Sequence, residues 1–63
     1  MTQKELLYVE DAVGHEKTII KVCDDMINKL DDESLVSFMK DEKEKHQNTL
    51  NGLMEMLEVK SSD

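Results

Sequence analysis

A single interruption in two long helical patterns governs what this chain can fold into. Proline is absent from all 63 residues, so no ring removes a backbone donor or wedges a helix apart. Before Asp31-Asp32, the residues Leu6, Val9, Val13, Ile20, Cys23, Ile27 and Leu30 recur at spacings of three, four and seven. That is one face of a helix, and Ala12, Ile19 and Met26 widen it on one side. After the break, Leu35, Val36, Met39, His46, Leu50, Leu53 and Leu57 share a second face, with Phe38, Met54 and Met56 near its margins.

The ends of both stripes carry their own signals. Thr2 followed by Glu5 is a capping box, in which hydroxyl and carboxylate each take a backbone amide that the first turn leaves unpaired. Asp31 and Asp32 can cap a new helix, and Glu33 complements its positive end. The spacing therefore predicts one domain over residues 1–63: a helix over about 3–30, a turn at 31–33, a second helix over about 34–59, and a frayed polar tail at 60–63. Gly14 lies off the first stripe and costs about 1 kcal/mol of helix propensity. A connection this short sets the helices antiparallel.

Size then demands a partner. A chain of 63 residues withdraws only roughly 60% of its unfolded surface from water, and domains this small usually rely on a disulfide, a metal or another subunit. The single Cys, Cys23, forms no internal disulfide, and its place on the stripe suits a packed small hydrophobe in a reducing compartment. Each stripe is broad enough for two neighbours. The expectation is an all-α helical hairpin that dimerises into a four-helix bundle, with Val13, Ile20, Ile27, Met39, Leu50, Leu53 and Leu57 in the dimer core. Exchange of helices through the Asp31-Asp32 hinge, a tetramer, and docking on a different protein remain open.

Composition narrows the partners. Fifteen acidic residues against eight basic ones give a net charge of −7, which repels polyanions, so neither nucleic acid nor an anionic membrane is expected. No apolar run approaches the ~20 residues of a membrane span, and no basic-then-apolar leader follows Met1. A cytoplasmic protein is expected. Five Met against one Tyr and one Phe make an adaptable apolar surface.

Two polar residues stand where the stripes call for apolar ones. Glu16 falls between Val13 and Ile20, and His46 between Met39 and Leu53. In a hairpin turning at Asp31-Asp32, facing residues have numbers summing to roughly 62 or 63, so Glu16 and His46 share a level. One reading is a core polar pair that fixes register and oligomeric state. The other is a metal site, in which a twofold dimer gathers two Glu16 and two His46, ligands suited to iron, manganese or zinc. Glu42, one turn before His46, is a further candidate ligand. Asp11 and His15 have the same spacing at the outer margin, where a surface pair is expected. The alternating charges of residues 40–45 suit a solvated helix face. His15-Glu16 fails the zinc-protease motif because position 19 is Ile, and no phosphate-binding glycine loop, Cys cluster or nucleophile triad is present.

The segment Glu5-Leu6-Leu7-Tyr8-Val9-Glu10-Asp11-Ala12-Val13-Gly14-His15-Glu16 and the later Glu42-Lys43-Glu44-Lys45-His46-Gln47 resemble the paired helices of ferritin-like proteins. The resemblance is nearest to the small spore coat proteins of the coat F type. It implies a rubrerythrin-like two-helix half, in which a Glu of one helix joins a Glu-x-x-His of the next around a di-iron centre. Glu16 and His46 match the first Glu and the His; the motif's other carboxylate is replaced by Lys43, so di-iron oxidase chemistry is not expected, and Lys43 can instead neutralise Glu16. The expected function is a non-enzymatic, spore coat-like structural or assembly protein without a cofactor, a homodimer in contact with other coat proteins and spore-associated. The alternatives are a ferritin-like protein binding iron, manganese or zinc through Glu16 and His46, and a small acidic module that binds an amphipathic helix of another protein.

Overall fold

The computed structural model describes residues 1–62, with side chains described through Glu58. Helix α1 spans Gln3–Lys29 and helix α2 spans Glu33–Ser62.

At the start of α1, the Thr2 amide donates to Glu5 Oε1 at 2.7 Å while the Glu5 amide donates to Thr2 Oγ1 at 3.1 Å, so the capping box is formed. These bonds hold the Glu5 carboxyl below its ordinary pKa of 4.5, the Thr2 amide contributing most and the hydroxyl next. The helix ends one residue before the expected 30. Leu30 turns to an extended backbone, φ −85° and ψ 140°, while its amide still donates to the Met26 carbonyl at 2.9 Å.

Reversal takes only residues 30–32. Asp32 makes it possible: its Oδ1 accepts from the amides of Ser34 at 2.8 Å and Leu35 at 3.1 Å, satisfying donors that the new helix cannot pair internally. Its carbonyl then accepts from Val36 at 3.0 Å. Helix α2 begins at Glu33, one residue earlier than expected, and continues through Ser62 rather than stopping near 59. Lys60, Ser61 and Ser62 include neither Gly nor Pro, so nothing local obliges the helix to end. The tail expected to fray at 60–63 is thus helical as far as Ser62, and Asp63 lies outside the described residues.

The helices pack side by side in a rod of 47 × 14 × 12 Å. Val13 and Cys23 of α1 and Leu50 of α2 are the only buried residues among those described, and Cys23 is a free thiol. Leu6, Val9, Ile20, Ile27, Met39, Leu53 and Leu57 are half-buried along the same seam. Leu35, expected on the inward face, is exposed. It lies in the first turn of α2 at the edge of the seam, on the side that α1 does not cover.

Candidate functional site

Halfway along the rod, the seam changes from apolar to polar. Glu16 lies three residues after the buried Val13, and His46 lies four before the buried Leu50. Both side chains therefore point between the helices. His46 Nδ1 and Glu16 Oε2 are 2.6 Å apart, with the Glu16 side chain 16% exposed and that of His46 30% exposed. With its proton on Nδ1, as in one neutral tautomer and in the imidazolium, the ring donates to the carboxylate. This is the pairing that their common level predicts.

Glu42 approaches from the other side of the ring, its Oε2 4.0 Å from His46 Nε2, too far for a hydrogen bond. Its other oxygen meets Lys45 Nζ at 3.5 Å. Lys43 does not neutralise Glu16. It reaches Asp24 Oδ1 at 2.6 Å instead, forming an ion pair across the helices that is about half exposed. No motif in the sequence points to Asp24. Its signal was available in the pattern, because Asp24 and Lys43 flank their stripes on the same side. His15 and Asp11 are exposed, away from the seam.

As a metal site, one hairpin is incomplete. Glu16 occupies His46 Nδ1, leaving Nε2 and the Glu42 carboxylate as further donors, and among the described residues no three His, Cys, Asp or Glu side chains form a cluster that could hold an ion. Ligand sets for iron, manganese or zinc need about four donors or more. The single hairpin accordingly does not fit the di-iron centre that the ferritin-like resemblance implies.

The larger feature is the face beside this cluster. The Asp24–Lys43 bridge marks one edge of the seam. On the opposite edge stand Tyr8, Ile19 and Met26 from α1 and Leu35, Phe38 and Met56 from α2, all exposed. At ~100° per residue these positions fall on one side of the seam in both helices, because antiparallel helices seen from one end wind in opposite senses. Glu16 and Glu42 lean toward this same face. Of the other exposed large hydrophobics described, Leu7 and Met54 lie elsewhere, Val22 stands on the outer flank of α1 next to the face, and Met1 precedes the helix. Among the described residues, no helix is long and apolar enough to cross a membrane.

No family model, curated protein or solved structure matches the chain significantly. The class that fold and site define is therefore a helical hairpin with a polar pair at mid-seam and one apolar face.

Proposed function

We propose that this protein is a non-enzymatic building block, a self-associating helical hairpin whose role is structural assembly of the coat type. The observation that carries this reading is the apolar face: among the described residues ten large hydrophobic side chains are exposed against three buried residues, and most of the ten share one side. Contiguous apolar surface of that kind marks an interaction site.

The exposed area supports association. The chain presents 4920 Å² to solvent, whereas a compact monomer of 7.3 kDa would present roughly 4200 Å². The difference, roughly 700 Å², is close to the ~800 Å² that each partner withdraws in a standard interface. A second hairpin laid on the face gives four helices around one core, with the half-buried Ile20 and Leu53 no longer at its margin. The acidic exterior keeps such units soluble and leaves charged surface for contacts with other coat-like proteins.

The convergence of Glu16, His46 and Glu42 on the associating face favours a second reading, a transition-metal site completed by two chains. Native mass spectrometry of protein purified without chelator, with elemental analysis of the same sample, tests both. A metal-free dimer that takes up no added iron, manganese or zinc supports the structural role alone. A dimer carrying one ion or a pair supports the second reading, and a monomer at every concentration refutes both.

A further inference from the structure

The rod has a midpoint, and its apolar face is arranged around it. Glu16 is the central residue of α1, which spans Gln3–Lys29, and it meets His46 at one level. Eight residues before Glu16 is Tyr8, and eight after it is Asp24, with Val22 and Met26 on either side. Eight residues before His46 is Phe38, and eight after it is Met54, between Gly52 and Met56. The two exposed aromatic side chains, Tyr8 at 60% and Phe38 at 59%, thus stand as far from the midpoint on one side as the levels straddled by Val22 and Met26, and by Gly52 and Met56, stand on the other; Asp24 and Met54, at those levels, lie off the face.

We propose that a second copy of this chain covers the face in an inverted, twofold arrangement whose axis crosses the rods at the level of Glu16 and His46. The inference rests on the self-association reading and specifies its geometry. With the axis perpendicular to the rods and in the plane between them, α1 lies on the partner α1 and α2 on the partner α2, each pair running in opposite directions. Phe38 of one copy then reaches the open groove lined by Met1, Gly52, Glu55 and Met56 of the other, and Tyr8 reaches the space between Val22 and Met26. Both contacts occur twice, as a self-complementary interface requires. Gly52 leaves the groove open, for nothing lies within 4 Å of where its Cβ would be.

Charge does not separate inversion from a dimer with both turns at one end: the turn carries Asp31, Asp32 and Glu33 against Lys29, and the open end carries Glu5, Glu55 and Glu58 against Lys4. The placing of Tyr8 and Phe38 opposite apolar positions decides for inversion. At the axis, each Glu16 carboxylate is already matched by its own His46.

Lysine cross-linking of the unaltered protein tests the arrangement. Within one chain Lys4 and Lys29 are 25 residues apart on a single helix, about 37 Å at ~1.5 Å per residue, beyond the reach of disuccinimidyl glutarate. In the inverted dimer Lys4 lies at the level of the partner's residue 28, so a Lys4–Lys29 link forms between chains. A mixture of light and heavy isotope-labelled protein should yield that link in mixed-label form. A dimer that gives only Lys29–Lys29 or Lys4–Lys4 links overturns the inverted arrangement while leaving self-association intact. A monomer refutes the reading beneath it. Gly52→Leu, which fills the groove, should weaken association at least tenfold, whereas Leu7→Ser, at an exposed position off the face, should leave it unchanged. Equal dimer affinity for Gly52→Leu and the parent would refute the groove as the seat of Phe38.

Discussion

The Glu16–His46 pair should respond very differently to losing one member than to losing the other. In His46→Ala, the Glu16 side chain remains only 16% exposed and loses the donor that meets its carboxylate. Stranding a fully buried charge costs about 3–5 kcal/mol; here part of the site is open to water, which reduces the expected loss to about 1–3 kcal/mol. In Glu16→Leu, a charge-assisted hydrogen bond worth about 1.5–3 kcal/mol disappears, but a leucine gains about 1.5–3 kcal/mol by burial in the same place. The imidazole, 30% exposed, can turn to water for its lost partner. Stability should therefore stay within about 1 kcal/mol of the parent. Urea unfolding followed by circular dichroism at one fixed protein concentration separates the cases. With a slope of about 1 kcal/mol per molar urea for so small a chain, His46→Ala should lower the midpoint by about 1–3 M and Glu16→Leu by less than about 1 M. The reverse order, with Glu16→Leu the more damaging, would refute the account of the pair as a desolvated carboxylate held by its donor.

Association predicts that the thermal midpoint of the parent protein rises with its concentration in scanning calorimetry; a constant midpoint would indicate that the hairpin folds alone. Gly14→Ala should add about 0.5–1 kcal/mol, since the position is helical and exposed and a Cβ there meets nothing within 4 Å; a loss in urea titration would contradict that. Asp32→Ala removes the acceptor of two amides in the turn and should cost about 1 kcal/mol, with faster hydrogen exchange at Ser34 and Leu35 as the local signature. The Glu5 carboxyl, held low by Thr2, contributes to the capping box above the ordinary glutamate pKa, and that contribution fades as pH falls through its lowered value. Carbon-detected NMR titration should place the Glu5 midpoint below 4.5 and return it toward that value in Thr2→Val.

The helices and the turn were legible because periodicity and capping are local. Val13, Cys23 and Leu50 lie on the stripes, and Thr2 and Asp32 sit where a hydroxyl or carboxylate can reach the first free amides. The Glu16–His46 contact was equally legible, being the only way for two mid-stripe polar groups to share one level. Lys43 was not. A lysine at the edge of a seam can swing toward several carboxylates, and the spacing that linked it to Glu16 took no account of the side on which it leaves the helix; Asp24 is on that side. The end of α2 was misplaced for a related reason: loss of apolar pattern at Lys60 removes tertiary support but not the helical hydrogen bonds themselves. The resemblance to ferritin-like proteins supplied a ligand pattern that one hairpin leaves incomplete.

The three-residue turn also orders the events of folding. With reversal confined to residues 30–32, contacts between the helices are nested, and each step away from the turn lengthens the enclosed loop by about two residues. Loop-closure entropy grows only logarithmically with length, so once the turn is capped the helices can zip outward at low cost per step. Contacts near Ile27 and Val36 precede the Glu16–His46 pair, which closes a separation of 30 residues, and the Tyr8 and Met56 end closes last. A chain leaving the ribosome has its turn and the first half of α2 available before the remaining partners of α1 emerge. Its open end is the part that stays unzipped longest.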